Sequence, residues 1–207
     1  MNQPTPTGTK RGRGRPASFD REAALDRAVE LFWKHGYEGA SIALLTDAMG
    51  VTPPTLYAAF GSKEALYGEA LARYRRREAQ AAAPPQAGDT LFDLVERFLR
   101  DAAQRFAAPG GPRGCMVAVG FLQCGPEGQA AAGAAAAARA EGLALFVAAV
   151  DAARARGELP SGVDGAALAR FYSAVVEGMA VQAIDGADAA QLDAVVDFAL
   201  AAWPVKR

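Results

Sequence analysis

The chain of 207 residues has a single histidine, His35, and two cysteines, Cys115 and Cys124. A lone histidine with no second ligand at metal-binding spacing cannot build a zinc site, and no glycine-rich phosphate loop is present. No catalytic residue, metal or cofactor is expected, and the chain does not read as an enzyme. His35 fits instead the end of a helix, where the dipole favours a cation. Long apolar runs are scarce too. The longest strongly apolar stretch, Met116 to Leu122, is far below the ~20 residues that a membrane-spanning helix needs. No secretory apolar segment is visible near the start, so a cytoplasmic protein with reduced thiols and no membrane partner is expected. Alternating strand patterns are also missing.

What the chain has is helix-forming sequence, 51% hydrophobic, enough to bury a full core in one or two domains. Net charge is −1, unevenly spread: residues 1–80 hold 12 Lys/Arg against 9 Asp/Glu, and residues 81–207 hold 10 against 14. Residues 1–17 lack hydrophobic periodicity and are expected to form a disordered basic arm. It carries Lys10, Arg11, Arg13 and Arg15, the latter two in the run Arg13-Gly14-Arg15-Pro16, which resembles the core of an AT-hook. Such an arm either lies in a narrow A·T minor groove or serves as a solvated basic tail that raises non-specific affinity.

Residues 18–63 read as a three-helix head. Asp20 can cap a helix with Leu25, Ala28, Val29 and Phe32 on one face, ending at His35-Gly36. Ser41 can cap a second, carrying Ile42, Leu45 and Met49, and Gly50 stops it. Thr52, Pro53 and Pro54 then open a third helix that buries Leu56 and Phe60 and leaves Thr55, Tyr57, Ala58 and Ala59 outward. Helix, glycine turn and helix with a small outward surface is the helix-turn-helix plan.

Residues 50–66, Gly-Val-Thr-Pro-Pro-Thr-Leu-Tyr-Ala-Ala-Phe-Gly-Ser-Lys-Glu-Ala-Leu, resemble the helix-turn-helix signature of the TetR family of bacterial transcriptional repressors. Ala28-Val29-Glu30-Leu31-Phe32, His35-Gly36-Tyr37 and Ser41-Ile42 resemble the first helix of that family and its exit. The resemblance is close over residues 17–77 and implies a repressor that binds a double-stranded DNA operator. By it, Tyr57 and Lys63 match phosphate-contacting positions, and Pro53, Pro54 and Thr55 lie where base edges are met. Ser41 and Ile42 open the helix that crosses the backbone, and Thr52 supplies a hydroxyl beside two prolines that lack N–H donors. Alanine at 43, 58 and 59 departs from the long polar side chains common in the family. Alanine, proline and threonine methyls favour thymine methyl contacts and DNA shape over hydrogen-bond readout.

Ser62 caps a connecting helix, residues 64–83, which Pro84-Pro85 ends. Residues 84–207 are expected to form a helical ligand-binding and dimerisation domain, giving an all-α fold of about nine helices. Leu168, Phe171, Tyr172, Val175 and Met179 form one stripe, and Leu192, Val195, Val196, Ala199, Leu200 and Trp203 another. The two helices make an antiparallel hairpin across residues 185–188. The resemblance implies a homodimer through these last two helices, and Val176, Ala180, Ala183, Val196 and Trp203 are the expected interface. A small, mostly apolar inducer is expected among Met116, Gln123, Phe146, Tyr172 and Gln182, polar groups set on apolar stripes.

Two alternatives stand beside the inducible repressor. Cys115, two residues after Arg113, could react alone in a thiol- or copper-responsive regulator. A joint site with Cys124 fails, since nine residues of helix place them about 180° and roughly 13 Å apart. An architectural A·T-preferring DNA binder would use the arm and need no inducer.

Overall fold

The computed structural model describes residues 19–82, 84–119 and 128–204. Arg13, Arg15, Gln123 and Cys124 therefore lie outside the described residues. Within them the chain forms nine α-helices and no strand: α1 Arg21–Gly39, α2 Ile42–Met49, α3 Pro53–Phe60, α4 Lys63–Ala81, α5 Leu91–Phe106, α6 Met116–Val119, α7 Gln129–Ala155, α8 Gly165–Ile184 and α9 Ala189–Ala201.

Local signals set the head. The backbone N–H groups of Glu22 and Ala23 donate to the Asp20 carboxylate at 3.0 Å each, which caps α1. The expected stop at Gly36 is a kink, φ 67°, after which one further turn runs to Gly39. Ser41 accepts from Leu44 N–H at 3.1 Å and Ser62 from Ala65 N–H at 3.1 Å. Gly50 ends α2 in the left-handed conformation, φ 65°, which a Cβ would make costly.

Leu25, Val29, Phe32, Leu45, Leu56, Phe60, Leu66 and Tyr67 close into one core. Each fully buried Leu or Phe contributes about 1.5–3 kcal/mol, so the short α2 and α3 are held by their inner faces and not by their length. The helix expected as a connector does more than connect: Leu66, Tyr67, Leu71 and Tyr74 of α4 are buried in this same core. Arg73 on α4 reaches back to Glu22 and Asp26 of α1, and Arg21 pairs with Glu69 at 2.7 Å. The Arg73 guanidinium holds the Asp26 carboxyl below its usual range. α1 and α4 are thereby fastened along their length.

The second core gathers α5, α8 and α9 with one side of α7, around Leu91, Val95, Leu99, Val150, Tyr172, Met179, Leu192 and Val196. α5 begins with a reciprocal cap between Thr90 and Asp93. Arg100 joins α5 to α9 through Asp193 at 2.9 Å and Asp197 at 3.0 Å. Against the expectation that no run approaches a membrane-spanning length, α7 is by length and composition apolar enough to cross a membrane. Its hydropathy comes largely from alanine, which is only weakly apolar. Here α7 packs through Ala131, Ala135, Ala138, Val150 and Ala153.

Segment 113–115 is pinned to the end of α8. The Arg113 guanidinium donates to the carbonyls of Ala183, at 2.6 Å, and Ala187. Gly114, φ 75°, sits where a Cβ would stand 2.7 Å from the Ala180 carbonyl oxygen. Together they fix where α6 starts between the two cores.

Candidate nucleic-acid interface and ligand cavity

α3 exposes Pro53, Pro54 and Ala58 and leaves Thr55 half-buried, with Tyr57 45% exposed. Leu56 and Phe60 lock the opposite side into the head. Thr52 makes no cap bond. Its hydroxyl lies 3.0 Å from that of Thr55, so the pair shares one O–H and leaves the other proton to donate outward. Ala59, expected outward, is half-buried, and its carbonyl accepts from Arg21 Nε at 3.3 Å. Arg21 also lies over the Phe60 ring, 4.5 Å from its centroid. No local sequence pattern marked Arg21, which acts across 38 residues of chain.

Ser41 spends its hydroxyl on the α2 cap, and Ile42 is half-buried against the head core. Ile42 is thus a packing residue whose backbone, not its side chain, is offered at the start of α2. Lys63 stacks its ammonium on the Tyr37 ring, 4.2 Å from the centroid. Burial lowers its pKa, and Glu38 and Glu64 pull it back up. The Tyr37 hydroxyl donates to Glu64, the leading reason that this carboxyl lies below its usual range. Lys63 is held ready at the beginning of α4, beside the end of α3.

The second half holds a half-open cavity of about 720 Å³. Its apolar walls come from Leu91, Leu94, Val95 and Phe98 of α5 and Leu143 and Phe146 of α7, and its polar groups are Arg139, Arg170, Ser173 and Glu177. Arg139 donates to the Val117 carbonyl at 3.1 Å. Of the expected ligand residues, Phe146 lines this space. Met116 does not: it is buried in the head core. Tyr172 does not either, being buried with its hydroxyl donating to the Ala199 carbonyl at 3.0 Å. Burial pushes the Tyr172 pKa up to about 12, which keeps it a donor. Gln182 is exposed, away from the cavity.

The expected dimer residues are also redistributed. Ala180, Ala183 and Val196 are completely buried within the protomer, so no partner can reach them. Val176 lines the cavity, and Trp203 packs edge-on against Phe92, ring centroids 5.2 Å apart. The large apolar side chains that α8 and α9 leave in solvent are their neighbours: Phe171, Val181 and Ile184 on α8 and Phe198 on α9, the last 81% exposed. The Tyr172–Ala199 hydrogen bond joins the residue next to Phe171 to the residue next to Phe198.

A family model described as bacterial regulatory proteins, tetR family, matches residues 24–70. The chain is 33% identical over 200 residues to the HTH-type transcriptional repressor ComR of Escherichia coli (strain K12), with 94% of each chain covered. It is 38% identical to the HTH-type transcriptional repressor BdcR of the same organism over 115 residues, 55% of this chain and 58% of that one. Among solved structures it is similar to the TetR family transcriptional regulator CifR, a cysteine mutant complexed with 26bp double-strand operator DNA. That likeness has a TM-score of 0.84 and 43% sequence identity, covering 92% of this chain and 100% of the other.

Proposed function

The chain belongs to the TetR family of bacterial regulatory proteins, as a DNA-binding transcriptional repressor and not an enzyme, and from that premise we propose how it works. A homodimer binds an inverted-repeat operator in the cytoplasm, and a small, mostly apolar inducer in the 720 Å³ cavity releases it. α3 enters the major groove, with Pro53, Pro54, Thr55 and Ala58 toward base edges and Tyr57, Lys63 and the free Thr52/Thr55 proton toward phosphates. The arm with Arg13 and Arg15 adds contacts in the minor groove beside each half-site. Two copies associate through α8 and α9, and the face supported is Phe171, Val181 and Phe198, exposed in the single chain.

The observation that carries the regulatory part is a shared wall. Cys115, Val117 and Ala138 line the cavity and also pack against the head core. A ligand that repositions them acts directly on the core that holds α4, and Arg75–Glu141 and Arg105–Glu78 tie α4 to the surrounding helices. In a dimer a small tilt of α4 changes the spacing of two recognition helices, and a ligand with unequal affinity for the two spacings shifts their populations.

Tyr57→Phe tests the DNA interface. Loss of one phosphate hydrogen bond should cost about 0.5–1.5 kcal/mol on operator and unrelated DNA alike, measured by fluorescence anisotropy at one fixed salt concentration. A loss confined to the operator would contradict the phosphate role.

A further inference from the structure

Among the arginines described beyond residue 82, Arg170 alone has neither a hydrogen bond nor an ion pair; Arg97, Arg100, Arg105, Arg113, Arg139, Arg154 and Arg156 each have one. Its side chain is exposed to solvent and forms part of the cavity lining. We propose that the effector is an amphipathic monocarboxylate, its apolar body along α5 and α7 and its carboxylate on Arg170; this rests on the reading of the cavity as the effector site.

Charge and shape both select that class. The lining holds two cations, Arg139 and Arg170, against one carboxylate, Glu177. This excess of positive charge runs against the surrounding sequence, since residues 81–207 carry 14 Asp/Glu and only 10 Lys/Arg. Arg170, Ser173 and Glu177 follow the i, i+3, i+7 row of α8, so one edge of the cavity is polar and, Arg139 on α7 apart, most of the rest is aliphatic or aromatic. Seven residues of helix separate the Arg170 and Glu177 backbones by about 10 Å along the axis, and Arg170 makes no ion pair. A guanidinium recognises a carboxylate in a two-pronged geometry that an alcohol or an amine cannot supply. The cavity volume lies inside the usual range for small-molecule sites, about 300–1,000 Å³.

Arg139 connects this charge to the regulated core. It donates to the Val117 carbonyl, and its charge bears on the Tyr67 hydroxyl, whose pKa burial pushes up to about 12 and Arg139 draws back. Val117 packs against the head core, and Tyr67 lies within it. Arg139 therefore belongs to the wall that the cavity shares with the head.

The test is calorimetric titration of the full-length protein with decanoate, decanol and decyltrimethylammonium, each below its micelle-forming concentration. The expected result is decanoate binding at least tenfold tighter than decanol, with the cation weakest. Arg170→Gln should remove the preference for decanoate and leave decanol affinity unchanged, and Ala149→Trp, which fills the cavity, should abolish binding of all three. Equal binding of decanoate and decanol, or tightest binding of the cation, overturns the carboxylate assignment and leaves the cavity as an effector site. Binding that survives Ala149→Trp overturns both, as does no binding of any of the three.

Discussion

Phe198→Glu should convert the protein to monomers and lower its operator affinity by a factor on the order of 10² to 10⁴. Phe198 is 81% exposed on α9, so its replacement removes nothing from the protomer core, and thermal unfolding of the separated subunit should show an intact fold. An aromatic ring left in water at this level of the α8–α9 hairpin is the expected centre of a two-fold contact, where aromatic anchors dominate binding energy. A carboxylate there must either lose its hydration or keep the faces apart. Operator affinity depends on dimerisation because the second half-site is then met at the high effective concentration set by the first. Analytical ultracentrifugation and anisotropy measure the two effects on one sample. A Phe198→Glu protein that remains dimeric with full affinity would remove α9 from the interface.

Gly114→Ala should destabilise the protein by about 2–5 kcal/mol, the sum of a left-handed residue with a Cβ and a steric clash. The φ of 75° carries the first cost. The second comes from the Ala180 carbonyl oxygen, 2.7 Å from the added carbon, with the Ile184 side chain at 2.9 Å. The carbonyl does not yield cheaply, because Ala180 is backbone on a packed helix and Arg113 fixes the neighbouring turn to Ala183 and Ala187, whereas the exposed end of Ile184 can rotate away. Gly110→Ala is the matched control: φ is 85°, yet nothing lies within 4 Å of its added carbon, so only the conformational cost of about 1–2 kcal/mol applies. Denaturant unfolding of both variants separates the terms. Equal losses would mean that the contact with α8 carries no strain.

How much of this was legible in the sequence follows from the range of each interaction. Asp20, Ser41, Gly50 and Ser62 announced helix ends because a cap or a left-handed turn involves groups two to four residues apart. Leu56 and Phe60 were legible as an inner face because α3 is too short to have two apolar sides. α8 has two, and periodicity cannot say which one the protomer keeps. Ala180 and Ala183 therefore read as surface although α5, α6 and α9 cover that side, whereas Phe171 read as core although it is exposed. Tyr172 looked like a ligand-binding hydroxyl, but its partner is the Ala199 carbonyl, 27 residues away. The cavity was the least legible part. Arg139 and Arg170 reach its lining from two helices whose packing is set by alanine-sized contacts, and of the expected ligand residues only Phe146 falls on its wall.

The central claim is that this repressor recognises a symmetric DNA sequence through two copies of α3. Selection of bound sequences from a random double-stranded pool by the full-length protein, at a fixed near-physiological salt concentration, tests it most directly. The account predicts an enriched inverted repeat whose half-sites are rich in thymine at the positions met by Pro53, Pro54, Thr55 and Ala58, with A·T-rich flanks where the arm lies. Enrichment of A·T content without any symmetric repeat would contradict it and assign the binding to the basic arm alone.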